Sequence, residues 1–491
     1  MTSAATLAPP TTPKPRKRGH ASPWLMGAAA GAAAFSGTGA ATLNGDELAT
    51  ISAASRSLPG LWELAQHIDG HFLPYYLFMH FWAKAGTAEL WLRLPSALAI
   101  AVAAGLLVAL GRRLHSTTAG VTAAAVFAVL PSVSYYGAFA RSYSFAAAAV
   151  VLSFWALHRA VETPAARRWV VYGASVALVC CTHLFAVLVL PAQLLVAVAL
   201  LSRRDLLLRM LPALAAGGVP ALVLGLVGYG ERHAISWIPQ RGPEVLLKFP
   251  KMAAGAAEAG LPLFAVALAG AALLWSARSL RAGAGGGRRA WAAALLGWLI
   301  LPALLLLAVS HLVTPVYVDR YLFVTAPALA LLAALAAASV PRAAVAACCA
   351  LVVVAAAAGV AQHIEVREPN GRFEDVPWAL RRMDARPGDA IVYGQSSVRA
   401  GFDYYGGGSL PDDVLRIGTA PDPDGFGFPE RGDVAGALTG RDRVWVVWRG
   451  AKSSGARLPR VKAVRAAGYE QESAWHSADL PGLTVALYTA P

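Results

Sequence analysis

The stretch "RRWVVYGASVALVCCTHLFAVLVLPAQLLVAVALLSRR", Arg167 to Arg204, decides the fold. Between its flanking arginine pairs there is no Asp, Glu, Lys or Arg. As a single helix, residues 169–202 would reach roughly 50 Å, against a hydrocarbon layer of about 30 Å. Arginines at both ends place both ends on the cytoplasmic side of a bilayer, so the chain must cross twice and turn at Thr182–His183.

Working outward, similar apolar runs recur at 23–43, 93–111, 117–137, 142–158, 169–184, 186–202, 210–229, 254–276, 291–310, 321–340 and 343–362. Alternate connections then differ in kind. One set is short and basic: Lys14/Arg16/Lys17/Arg18, Arg112/Arg113, Arg159/Arg167/Arg168, Arg203/Arg204/Arg209, Arg278/Arg281/Arg288/Arg289 and Arg342. These face the cytoplasm. The other set holds the long or acid-bearing segments: 44–92, the turn at 137–142, 229–253, 311–320 and everything after 362. The expected fold is an all-α polytopic membrane protein of about eleven spans, with its N-terminus inside.

Composition agrees. With 57% hydrophobic and 14% charged residues and a mean hydropathy of +0.53, a string of soluble domains is excluded. The net charge of +14 comes from small clusters between apolar runs, which is an orienting pattern and not a nucleic-acid surface. Cys180–Cys181 and Cys348–Cys349 lie inside apolar runs, where they read as helix fillers and not as disulfides or a zinc site. Residues 1–22 read as a disordered basic tail, and 23–43 as a retained first helix. After 362, charges, Gly and Pro return. "GDAIVYG", "DRVWVVWRG" and "LTVALYTA" have strand character, and "DVPWALRRMDA" and "PRVKAVRAAGY" have helical spacing. Residues 363–491 are therefore expected to form a small extracytoplasmic α/β domain.

Ionisable residues in transporters sit at mid-span. Here the predicted span centres are Ala, Leu, Val and Gly, and the charges of both signs gather in the external loops. Asp46, Glu47, Arg56, Asp69 and His71 lie in the first loop. Arg141 opens the fourth span, His183 marks a turn, and His311, Asp319 and Arg320 border the tenth span. A one-sided site suits this better than a conduction path, so a lipid or glycan transporter and a non-catalytic membrane scaffold stand as the alternatives. Within the first loop, "DELATISAASRSLPGLWELA" has the spacing of an interfacial helix, with Asp46 as its N-cap and Glu47 in its first turn. An acid in that place has a purely structural reading as well.

The strings "NGDELAT" (44–50), "HIDGHFLPYYLFMHFW" (67–82), "LWLRLPSA" (90–97), "YYGAFARSYSF" (135–145) and "VYVDRYLFVTAPAL" (316–329) together resemble glycosyltransferase family 39. These are the protein O-mannosyltransferase-like and aminoarabinose-transferase-like members of the C-type glycosyltransferase superfamily. The resemblance covers roughly residues 24–340. It departs from the family at "HFLPYY", where a family "H-P-P-L-Y-Y" has two prolines.

The resemblance implies a C-type glycosyltransferase fold that moves a sugar such as mannose from a polyprenyl-phosphate donor to an extracytoplasmic acceptor, whether protein, lipid or wall glycan. It places Asp46 as the catalytic base, and Asp69 on the second loop motif and the adjacent Glu47 stand beside it as catalytic candidates. Arg56, His71, Tyr75, Arg141, Tyr143, His183, Arg320 and Tyr321 are its substrate-binding candidates. A carboxylate suits removal of the acceptor proton, and arginine suits a phosphate leaving group. No cofactor is required on this reading, although Asp46, Glu47 and Asp69 are oxygen ligands of the kind Mg²⁺ or Mn²⁺ would use.

Overall fold

The computed structural model describes residues 23–255, 257–276, 284–368, 375–478 and 482–490. The basic tail expected over 1–22, with Arg278 and Arg281, lies outside the described residues.

The apolar runs are helical, as hydrocarbon demands of any spanning segment whose backbone must satisfy itself. The chain begins with α1 (Pro23–Phe35), α2 (Gly45–Ala54), α3 (Leu58–Leu64), α4 (Leu73–Trp82) and α5 (Glu89–Leu114). It continues through α6 (Thr117–Val129), α7 (Pro131–Gly137), α8 (Tyr143–Glu162), α9 (Ala166–Thr182) and α10 (Leu190–Leu200). The long run opened on above breaks at His183, which separates α9 from a 3₁₀ segment, Leu184–Val189, leading into α10.

Among the described residues, six helices are long and apolar enough to cross a bilayer, and α6 with α7 makes a seventh if the pair, bent by 66°, counts as one span. Pro131 accounts for the bend: it opens α7 and holds Leu130 in an extended conformation. The other runs expected as crossings form shorter helices: Pro23–Phe35, Leu184–Leu200 and Gly260–Ser276, and α9 at 17 residues. At 1.5 Å per residue, α1 reaches only about 20 Å.

The helix ends sort into two sets. Arg367, just past the helix Ala344–Glu365, donates to the carbonyls of Ala33 (3.2 Å), Ala34 (3.0 Å) and Ser36 and to Ser134 Oγ (2.9 Å). It thereby closes the C-terminal end of α1 against α7. In the other set, Arg113 pairs with Glu162, His115 meets Ser339 Oγ at 3.2 Å, and Arg168 donates to the Arg159 carbonyl at 2.7 Å. The arginine-rich connections meet one another there.

The helical core centres on α5, which packs on α1, α6 and α8. Close approach to α1 depends on Gly27 and Gly31, a small-x-x-x-small pair. A Cβ at Gly27 would stand 2.6 Å from the Ala101 carbonyl oxygen, and one at Gly31 2.8 Å from the Ala101 Cβ.

Among the described residues, the tail forms a five-stranded sheet in the order β2-β1-β3-β5-β4, from β1 (Ala390–Tyr393), β2 (Asp412–Asp413), β3 (Arg443–Arg449), β4 (Glu470–His476) and β5 (Leu483–Thr489). β2, β1 and β3 are parallel, while β5 runs antiparallel to both β3 and β4. One face buries Val392, Val446, Trp448 and Tyr488 with the helix Pro459–Ala466, and the other buries Ile391, Trp445 and Val447 with Val376 and Phe402.

This domain rests on the connection between α1 and α5. The Leu43 amide donates to Tyr405 Oη at 2.8 Å, Ser52 Oγ to the Phe426 carbonyl at 2.7 Å, and Arg56 to the Gly425 carbonyl. His67 lies 3.3 Å from Asp424.

Replacing Gly27 by Ala should separate α1 from α5 and cost about 1–3 kcal/mol. A thermal melt of the detergent-solubilised protein reads this as a lowered midpoint, whereas Gly218→Ala, in a helix with nothing within 4 Å, should not lower it.

Candidate active site

The cap of α2 is Asn44, not Asp46 as the helical spacing suggests. Its side chain accepts the amides of Asp46 (3.0 Å) and Glu47 (3.1 Å), and Glu47 reaches back to the Asn44 amide at 3.2 Å, closing a capping box. The interfacial helix also divides: Ser57 starts α3 separately, with its Oγ accepting the Gly60 amide.

Successive residues of a helix point about 100° apart, so the two acids diverge. Glu47 turns inward and is 1% exposed. Arg93 grips it through Nε to Oε1 and Nη2 to Oε2, both at 2.8 Å, and the Ala140 amide adds a bond at 2.9 Å. The rest of the Arg93 guanidinium donates to the carbonyls of Thr38, Ala41 (2.8 Å) and Thr42 (2.9 Å). Asp46 turns the other way, with 35% of its side chain exposed and Oδ2 3.3 Å from Arg320 Nη1.

Asp69 takes a left-handed backbone, φ 55°, a conformation that Asp tolerates better than most residues. Tyr76 donates to Asp69 Oδ2 at 2.7 Å, Arg141 Nη1 to Tyr76 Oη at 2.6 Å, and Arg141 Nη2 to Asp69 Oδ2 at 3.3 Å. Burial alone would raise the Asp69 carboxyl, but Arg141, His71 and Tyr76 outweigh it and hold its pKa below the ordinary value. Arg141, stacked 4.3 Å over Phe72, is in turn held up against burial by Tyr76, Asp69 and Asp46. The two site carboxylates thus share one guanidinium field.

Behind this triad lies a wall of rings. His183 stands 4.8 Å from Tyr321, 5.5 Å from Tyr143, 5.6 Å from Phe72 and 6.4 Å from His71, centroid to centroid. Its Nδ1 accepts the Phe185 amide at 3.2 Å. Burial first, and then His71, Arg141 and Arg320, push its pKa well below the ordinary imidazole value, so it stays neutral. His71 Nδ1 meets Glu231 Oε1 at 3.3 Å. Five buried polar atoms of this group have no protein partner: His71 Nε2, Arg141 Nε, Tyr143 Oη, His183 Nε2 and Arg320 Nε. Buried polar groups are ordinarily satisfied, so such a cluster marks a place for a polar ligand.

Of the candidates read from the sequence, the structure thus brings Asp46, Asp69, His71, Arg141, Tyr143, His183, Arg320 and Tyr321 together. Three are placed elsewhere. Glu47 is committed to Arg93, and Arg56 to the tail domain. Tyr75 packs on Phe145 (5.7 Å) in an apolar cluster, while its neighbour Tyr76 faces the site. The acids that could have offered oxygen ligands to Mg²⁺ or Mn²⁺ do not converge. Among the described residues, no group of three or more His, Cys, Asp or Glu side chains is placed to hold a metal ion. Tyr76, Arg93 and Glu231 were not among the candidates. Arg93 had a signal, being the one charge in an otherwise apolar helical run up to Arg112.

Residues 72–227 match the family described as dolichyl-phosphate-mannose-protein mannosyltransferase. The resemblance to glycosyltransferase family 39 holds. The match spans about a third of the chain and takes in Tyr76, Arg93, Arg141, Tyr143 and His183, but it leaves out Asp46, Asp69 and Arg320. The fold is matched by ArnT from Cupriavidus metallidurans in the apo state, at a TM-score of 0.56 and 12% identity, over 94% of this chain and 97% of ArnT. ArnT bound to undecaprenyl phosphate gives 0.55 and 14%, over 95% and 98%. At that identity the likeness concerns the fold alone. No curated protein matches the sequence.

Arg93→Met should strand a buried carboxylate and cost about 3–5 kcal/mol, whereas Asp46→Asn, half-exposed and outside that network, should stay within about 0.5 kcal/mol. Melting midpoints of the two variants, compared with the parent, measure the difference.

Proposed function

We propose that this protein is a membrane glycosyltransferase that moves a sugar from a polyprenyl-phosphate donor to an acceptor hydroxyl outside the cytoplasm. The observation that carries this reading is the juxtaposition of one accessible carboxylate, Asp46, with Arg320 and a buried group of unpartnered donors. The description of the matched family, and the undecaprenyl phosphate in the ArnT relative, support a lipid phosphate as the donor's leaving group.

On this reading, Asp46 takes the proton of the acceptor hydroxyl as that oxygen attacks the anomeric carbon. The bond from that carbon to the donor phosphate oxygen breaks, and its electron pair leaves with the phosphate. Direct displacement inverts the anomeric centre. Arg141 and Arg320 neutralise the charge that gathers on the phosphate, and the Nε2 of His183, protonated because Nδ1 accepts an amide, adds a neutral donor. Asp69 keeps Arg141 and Tyr76 in register. A phosphate already bound to its lipid needs no nucleotide site.

We take residues 23–362 as the transferase domain, eleven apolar segments with its loop 44–92, and 363–491 as an extracytoplasmic domain. The side carrying Asp46 is then the outer face. Mannose is the first sugar to test, and protein, lipid and wall-glycan hydroxyls are the acceptors.

Asp46→Asn should lower transfer by about 10²- to 10⁴-fold with insertion intact. Purified protein is incubated with a panel of polyprenyl-phosphate sugars, and consumption of each is followed; activity at the parental level would remove Asp46 from the chemistry. A cysteine placed at Ser453, in a protein whose native cysteines are replaced, should react with an impermeant reagent on intact cells. Reaction only after lysis would reverse the orientation.

A further inference from the structure

Glu231 follows the helix Leu211–Gly230 directly, as its C-terminal cap, and is 7% exposed. A carboxylate there is opposed both by burial and by the negative end of the helix dipole. Two contacts offset this, and both come from the loop that carries Asp69. The Gly70 amide donates to Oε2 at 2.8 Å, and His71 Nδ1 lies 3.3 Å from Oε1. The approach is close by construction: a Cβ at Gly70 would stand 2.5 Å from Val227 Cγ1 on that helix. With Nδ1 turned to Glu231, the Nε2 of His71 ends buried and unpartnered beside His183.

The two imidazoles are fixed in complementary ways. His183 accepts an amide at Nδ1 and so carries its hydrogen at Nε2. His71 gives its Nδ1 hydrogen to a carboxylate, so it can donate from Nε2 only as an imidazolium, whose charge Glu231 balances. Among the described residues, Asp69 and His183 also feel its charge, and Arg141 acts on both of them.

We infer that Glu231 is a positioning residue: it holds His71 as an imidazolium with Nε2 aimed at the space beside His183, so that two ring nitrogens grip the donor phosphate. This rests on the glycosyltransferase reading above and deepens it by naming a further phosphate ligand and the residue that sets it.

The test is a double-mutant cycle on the full-length protein, with binding of undecaprenyl phosphate as the readout. Glu231→Gln should weaken binding about tenfold when His71 is present, as expected for loss of a charge-assisted bond, and should have no further effect in a His71→Gln background. Equal losses in the two backgrounds would overturn the inference. Should Glu231→Gln fold poorly, ¹⁵N spectra of the parent protein decide. His71 protonated at both nitrogens when undecaprenyl phosphate is bound supports the inference, and a neutral His71 overturns it. Parent protein that binds no undecaprenyl phosphate would instead overturn the glycosyltransferase reading, a different failure from binding without coupling.

Discussion

The buried pair of Glu47 and Arg93 is the constraint on which the site depends. Removing both charges from water is costly, and only a full set of hydrogen bonds makes the arrangement tenable. That set is drawn from everywhere around the site: the turn after α1 through Thr38, Ala41 and Thr42, the start of α2 through Asn44, and the α7–α8 connection through Ala140. Arg141 is the next residue after Ala140, and Asp46 precedes Glu47. One ion pair therefore fixes the backbone from which both a carboxylate and a guanidinium of the site project. Thr50 adds to this by donating to the carbonyls of both Asp46 and Ala140 at 3.1 Å.

Much of the fold could be read in the sequence because hydropathy and arginine placement act over whole segments. The break at His183 and the strands β1, β3 and β5 follow from patterns many residues long. The number of crossings was less legible, because a run of apolar residues does not say where its helix ends: α1 stops at Phe35 within the run 23–43. β4 was missed for a different reason. As an edge strand it buries little, and "EQESAWH" carries no apolar alternation.

Within the site, single-residue choices were the hard part. Asp46 and Glu47 are chemically alike and adjacent, and only the phase of α2 separates the open carboxylate from the structural one. Tyr75 and Tyr76 differ in the same way on α4. Arg56 sits among the site acids in the chain, yet its partner is Gly425, some 370 residues away. Glu231 follows a long apolar helix and precedes Arg232 and His233, so its sequence context reads as wet loop. Its bonds to Gly70 and His71 are long-range, and no local pattern announces them.

The seating of the tail domain bears on how such proteins can diverge. Phe426 lies 6.2 Å from the Tyr76 ring, whose hydroxyl touches both Asp69 and Arg141. Tyr405 meanwhile fastens Leu43, the residue before the α2 cap. The appendage is thus part of the frame of the candidate site and not a passenger behind it. A tail grafted from elsewhere would have to supply the same partners for Leu43, Ser52, Arg56 and His67. Tail and first loop form two halves of one surface, so a change on either side is felt by the other.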